Sequence, residues 1–184
     1  MPILNAEPQS YPDDLLTGLD HQSLDRHWWV LQTKPRQEKS LARDLRTREI
    51  SYYLPQVAQT SLARGRRRTS HIPLFTGYVF MFGDARDRVS SLTTNRICNT
   101  LAVDDTAQLT HDLLQIWRLV ESRAPLTIES RLKVGDRVRV KKGTLAGVEG
   151  SVIDRRGRCR VLVAVHLLQQ GVSMEIDDYM LEPI

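Results

Sequence analysis

The chain has 184 residues, 41% of them hydrophobic and 26% charged, a balance that suits one ordinary globular domain or two small ones. Its apolar runs, such as Val161–Val165, are too short to cross a bilayer, the N-terminus lacks the basic-then-apolar start of a secretion signal, and Cys98 and Cys159 are too far apart to suggest a metal knuckle or disulfide framework, so no membrane association and a cytoplasmic setting are expected. The net charge of +4 is uneven: residues 1–25 carry Glu7, Asp13, Asp14, Asp20 and Asp25 and no Lys or Arg, which leaves +9 on the remainder and fits either a polyanionic partner or a well-solvated basic surface.

Residues 1–25 are acidic, rich in turn formers and without a sustained period, and read as a flexible extension. Trp28–Leu31 is a compact apolar run suited to a buried strand. Thr33 offers a cap and Pro35 fits a first helical turn, predicting a helix through about Glu49 with Leu41, Ala42 and Leu45 as its apolar stripe and Asp44 in reach of Arg48. Ile50–Val57 reads as a strand bent at Pro55, and residues 58–71, small polar and basic about Gly65, as a hairpin or long loop. Leu74–Phe82 predicts a strand, Asp84–Ser91 a short helix and Ile97–Val103 another strand. Asp104, Asp105 and Thr106 can cap a helix whose face is Leu109, Leu113, Ile116, Trp117 and Val120, and which stops before Pro125.

Residues 123–131 read as a linker, after which the hydrophobic period falls to two. Short strands are predicted at Arg137–Val140, Gly150–Asp154, Arg160–Val165, Val172–Ile176 and near Tyr179–Leu181, which suggests a small barrel with Greek-key or SH3-like connections. The fold class is α+β, an N-terminal α/β sandwich followed by a five-stranded SH3-like β-barrel. The expected organisation is an extension over 1–25, a first domain over 26–122, the linker, and the barrel over 132–184.

Between Val134 and Val152, Gly135-Asp136 turns the chain into a strand, Val138 and Val140 face inward, and Gly143 and Gly147 bracket a connection that needs positive φ or close backbone approach. In the aromatic strand, alternation puts Tyr78, Phe80 and Phe82 on one face and leaves Phe75 on the other side or in the turn. Core packing is the plain reading of these aromatics; an exposed patch that docks a partner helix is the functional one. Arg64, Arg66, Arg67 and Arg68 suit phosphate contact, or a solvated hairpin tip. The five histidines stand in no metal-binding spacing, and neither a nucleophile elbow nor a phosphate-cradling glycine loop is present. The chain therefore reads as a binding protein with no catalytic residues, metal or cofactor.

The segment Leu132–Ile184 resembles the KOW motif of transcription elongation factors and ribosomal proteins. The run Trp28-Trp29-Val30-Leu31-Gln32-Thr33-Lys34, the arginine turn, and Pro73-Leu74-Phe75-Thr76-Gly77-Tyr78-Val79-Phe80 together resemble the N-terminal domain of the NusG family, so the likeness spans about residues 26–184. It implies a monomeric transcription elongation or antitermination factor whose first domain grips the clamp helices of RNA polymerase through an apolar surface, here Gln32, Phe75, Tyr78 and Phe80. Thr76 stands where the family commonly has proline. A hydroxyl-rich loop that reaches the opposite lobe of the polymerase would match Ser90, Ser91, Thr93 and Thr94. Lys34, Arg36 and Arg96 would form a basic group toward non-template DNA, with Arg64, Arg66, Arg67 and Arg68 toward upstream DNA. Leu167 and Leu168 match the loop through which the barrel contacts a small-subunit ribosomal protein or the Rho terminator. The helix start Lys34–Glu38, the short arginine hairpin and the acidic extension favour a specialised, RfaH-like, operon-specific branch over a housekeeping factor; the alternative of another class is a KOW-containing protein that binds RNA or the ribosome.

Overall fold

The computed structural model describes residues 7–18, 25–63, 66–129, 135–155, 158–177 and 180–184. The chain divides into two compact units, Met1–Thr106 and Ala107–Ile184. This division runs ahead of the long helix that the sequence groups with the first domain.

The first unit is built on a five-stranded antiparallel sheet with the order β1-β3-β6-β2-β7, formed by β1 (Ser10–Tyr11), β3 (Ser51–Tyr53), β6 (Tyr78–Gly83), β2 (His27–Thr33) and β7 (Ile97–Ala102). Helix α1 (Glu38–Thr47) lies on one face, with Leu41, Ala42 and Leu45 buried against Leu31, Tyr52, Val79 and Met81. Burial of each leucine is worth about 2 kcal/mol, so packing rather than helix propensity holds a ten-residue helix that carries so few apolar positions. The other face carries the aromatics, because β2 and β6 pair Trp28 with Phe82, Val30 with Phe80 and Gln32 with Tyr78. Helix α2 (Ala85–Leu92) starts at Asp84, whose Oδ1 accepts from the Arg86 and Asp87 amides at 2.7 and 2.9 Å; Asp87 completes a reciprocal capping box. These backbone donors hold the Asp84 carboxyl below its ordinary range.

Among the described residues strand β4 (Gln56–Ala63) and strand β5 (Arg66–Pro73) pair only with each other, the hairpin rather than the loop of the two expected alternatives. Pro55 does more than bend the expected strand: it splits β3 from β4, since it has no N–H for the ladder.

Four expectations are corrected here. Part of the supposed extension is structured: β1 adds to β3, the Leu54 amide donates to the Gln9 carbonyl at 2.6 Å, Glu7 pairs with Arg43 at 3.2 Å, and Leu15 and Leu16 are buried. A two-residue strand has no period to read, which is why composition hid it. Helix α1 begins at Glu38 after Gln37 rather than at Thr33, because Arg36 takes a left-handed φ of 62° that interrupts the helical path. Asp44 does not meet Arg48 as its ion-pair partner; it binds the Arg96 Nε at 2.7 Å. Residues 74–77 form a turn rather than strand, closed by the Tyr78 amide on the Phe75 carbonyl at 3.2 Å with Gly77 at φ 84°.

The second unit holds helix α3 (Thr106–Glu121) and an antiparallel sheet of order β13-β9-β10-β11-β12-β8. Its strands are β8 (Thr127–Glu129), β9 (Arg137–Val140), β10 (Glu149–Arg155), β11 (Arg158–Val165), β12 (Gln170–Glu175) and β13 (Leu181–Pro183). The five predicted strands match β9 to β13, giving the small KOW-type barrel. The sixth, β8, falls in the expected linker and is recruited by pairing Thr127 with Ser173 and Ile128 with Val172. Gly143 and Gly147 sit at φ 87° and 84° on either side of the β9–β10 connection, as their spacing requires. The buried residues of α3 include Leu109, Leu113, Ile116 and Leu119, while Trp117 and Val120 are half-buried.

Candidate functional site

The aromatic face of the first sheet is a packed cluster. Phe80 lies 5.9 Å from Phe75 edge-on and 6.5 Å from Tyr53, and Trp28 lies 5.3 Å from Phe82. Of the two places expected for Phe75, the structure has the turn, from which its ring packs on Phe80. Phe75 and Phe80 are 1% and 0% exposed, so the residue-level reading of core packing holds for both, and neither is a surface residue. Gln32 and Tyr78, directly opposed across β2 and β6, are half-buried, and Thr76 beside them is exposed. The accessible part of this face includes its end at Gln32, Thr76 and Tyr78, with exposed Asn99 opposite Gln32 on β7.

The loop after α2 is organised by its own hydroxyls. Ser91 Oγ donates to the Arg88 carbonyl, Thr93 Oγ1 to Ser90 and Thr94 Oγ1 to Ser91, each at 2.7 Å, which satisfies helix-end carbonyls. Arg48 donates from Nη1 to the Ser90 carbonyl at 2.6 Å, to Ser90 Oγ at 3.2 Å and to Thr93 Oγ1 at 2.6 Å, pinning the loop to the end of α1. Ser91 is fully buried and is not available as a contact residue; Thr93 is exposed, and Ser90 and Thr94 are half-buried. Val89 and Leu92, 59% and 41% exposed, add apolar surface that the sequence reading passed over.

The basic residues separate into two kinds. Lys34 and Arg36 are exposed, and among the described residues Lys34 Nζ meets only the neutral Asn95 Oδ1 at 3.0 Å and has no carboxylate partner. Arg96 is brought beside them by the Lys34 amide on its carbonyl at 2.8 Å, but its guanidinium is committed to Asp44 and to Gln37 Oε1. A phosphate would have to compete with that carboxylate. On the hairpin, Arg67 is exposed and Arg66 and Arg68 lie on β5, while Arg64 lies outside the described residues.

In the second unit, Leu167 is 41% exposed and Leu168 half-buried on a 3-10 turn, His166–Leu168, so Leu167 is not core. The turn is tied to α3 by Asp112, whose buried Oδ2 accepts from the His166 amide and meets His166 Nδ1, both at 3.0 Å, while Gln108 donates to Oδ1 at 2.7 Å. Gln115 accepts from the Glu149 amide at 3.3 Å and Arg118 donates to the Gly147 carbonyl at 3.2 Å. His111, scattered from His166 in sequence, is thus drawn to the same polar seam, 3.7 Å from Glu149. Arg139 binds Glu149 from Nε and Nη2 at 2.9 and 2.6 Å and holds its carboxyl below the ordinary range. Among the described residues no cluster of His, Cys, Asp and Glu is placed to hold a metal ion, and no helix is long and apolar enough to cross a membrane.

Residues 26–132 match the family model described as transcription termination factor nusG. The chain belongs to the NusG family. Members of that family are transcription factors rather than enzymes, which places this chain among transcription elongation factors. Similar solved structures include one titled "Domain interaction in Thermotoga maritima NusG", at 16% identity over 88% of this chain and 98% of that one, with a TM-score of 0.47. Another, of the MjSpt4:Spt5 complex, has 13% identity over 85% of this chain and 97% of that one, with a TM-score of 0.29. Likeness at this level carries no inference about partners. No curated protein matches the chain.

Within the NusG-type unit, then, the structure brings together Gln32, Thr76 and Tyr78 at one place, and Ser90, Thr93, Val89 and Leu92 at another. The two residues that organise these surfaces, Glu38 under the first and Arg48 under the second, were missed as site residues. The charged helix start at Lys34–Glu38 was the one signal for Glu38; Arg48 had none, because its partners are 42 to 45 residues away.

Proposed function

We propose that this NusG-family chain docks on RNA polymerase through its first domain, over residues 26–122, gripping the clamp helices at the end of the aromatic sheet face. The observation that supports this most is the placement of half-buried Gln32 and Tyr78 directly opposite one another on a rigid sheet, beside exposed Thr76. An anchor on paired strands is pre-organised, so little ordering entropy is lost on binding. Phe75 and Phe80 serve this surface from beneath, as its support.

The hydroxyl loop at Ser90, Thr93 and Thr94, with Val89 and Leu92, makes the second contact, on the lobe across the DNA channel. Two contacts that both fit the closed clamp shift the polymerase toward its closed, unpaused state without chemistry. Lys34, Arg36 and Arg67 supply charge for non-template or upstream DNA. The barrel over 132–184 recruits a second factor, a small-subunit ribosomal protein or Rho, through Leu167 and Leu168. The factor acts as an operon-specific antiterminator in the cytoplasm. A single-round elongation assay tests the reading: added protein should shorten dwell at pause sites, and Tyr78→Ala should lose most of that effect. Unchanged pausing at saturating protein would refute it.

A further inference from the structure

We infer that Glu38 is the positioning residue of the docking turn, a role that rests on the polymerase-docking reading above. Glu38 opens α1 and is only 5% exposed, yet among the described residues it has no ion-pair partner. A buried carboxylate is costly unless its lone pairs are used. One oxygen, Oε1, accepts the backbone N–H of Gly77 at 2.8 Å. The first turn of α1 also favours negative charge there.

Gly77 is held from both sides. Its N–H is taken by Glu38, and its carbonyl accepts the Thr33 amide at 2.8 Å, so α1 and β2 grip the two successive peptides that flank this residue. Packing contributes little at this point: Gly77 lies at φ 84°, and a Cβ built on it would meet nothing within 4 Å. At Gly77 the backbone is therefore held by polar contacts, while buried Leu74 and Phe75 anchor the start of the turn by packing. The next residue is Tyr78, seated opposite Gln32, and the preceding one is exposed Thr76. Withdrawal of the Glu38 oxygen frees the 76–77 peptide, and with it the placement of Thr76 and Tyr78 against Gln32.

The test follows Gly77 amide exchange by NMR and affinity for core RNA polymerase in the same full-length variants. Glu38→Ala should speed Gly77 exchange at least about tenfold and weaken polymerase binding about tenfold. Glu38→Gln keeps a carbonyl acceptor and should stay within about threefold of wild type on both. Glu38→Asp keeps the charge but withdraws the oxygen, should behave as Glu38→Ala, and replaces it where that variant fails to fold. Wild-type exchange or wild-type affinity in Glu38→Asp and Glu38→Ala would overturn the proposal, as would a Gln variant as defective as Ala. A wild-type chain that does not bind polymerase overturns the docking reading and the role with it, while a fast-exchanging Gly77 in Glu38→Ala would still report the local clamp.

Discussion

Phe80 and Tyr78 are two residues apart on β6, and their surroundings set opposite expectations. Phe80 is fully buried between Phe75 and Tyr53, so Phe80→Ala should cost about 3–5 kcal/mol in urea unfolding and is a poor probe of binding. Tyr78 is half-buried, and Tyr78→Ala should cost roughly 1 kcal/mol, leaving a folded chain. Equal losses would place Tyr78 inside the core. The Arg139–Glu149 pair gives a pH dependence. Arg139 lowers the Glu149 carboxyl below its ordinary value of 4.5, helped by His111 and Arg137 and opposed by desolvation. A carboxyl lowered in the folded state stabilises fully above its unfolded value, and that contribution disappears as pH falls through the folded one. The stability difference between wild type and Arg139→Ala should thus shrink as pH is taken from about 6 to about 3; a constant difference would remove Glu149 from the account. Alternation in β6 did reveal that Tyr78, Phe80 and Phe82 share a face. It could not reveal which of them reaches solvent, because that depends on pairing with residues some fifty positions away.

Elements long enough to repeat their period were legible and shorter ones were not. The amphipathic spacing of α3 and the alternation of β9 gave both away, and Gly143 and Gly147 announced their turn. Strand β1 is too short to carry a pattern, and the turn at 74–77 looked like strand because its residues are apolar. The structured part of the N-terminal segment predicts that deleting residues 1–18 will speed exchange of the Leu54 and Gln56 amides at least about tenfold, since Gln9 accepts from both. Unaltered protection would mean that β1 is dispensable to the edge it covers. Asp112 gives a parallel case on α3. Asp112→Ala leaves the His166 amide without its acceptor and should cost about 1–3 kcal/mol, with faster exchange at His166. A silent substitution would show that the 166–168 turn holds itself.

On the scale of the whole molecule, the order of periods along the chain was enough to read an α+β fold with a small barrel behind it. The boundary was harder: α3 follows the first sheet in sequence, but its polar side chains are spent on β10 and the 166–168 turn, contacts that only folding discloses. The surface follows the same logic, since charge runs marked Lys34, Arg36 and Arg67 as basic but not that Arg96 is already neutralised by Asp44. The central claim is that the end of the aromatic face binds polymerase, and titration of core RNA polymerase with the purified chain tests it most directly. The account predicts saturable binding of one chain per polymerase, weakened at least about tenfold by Gln32→Ala combined with Tyr78→Ala and untouched by Leu167→Ala. No binding, or binding that the double substitution leaves intact in a folded chain, would contradict it.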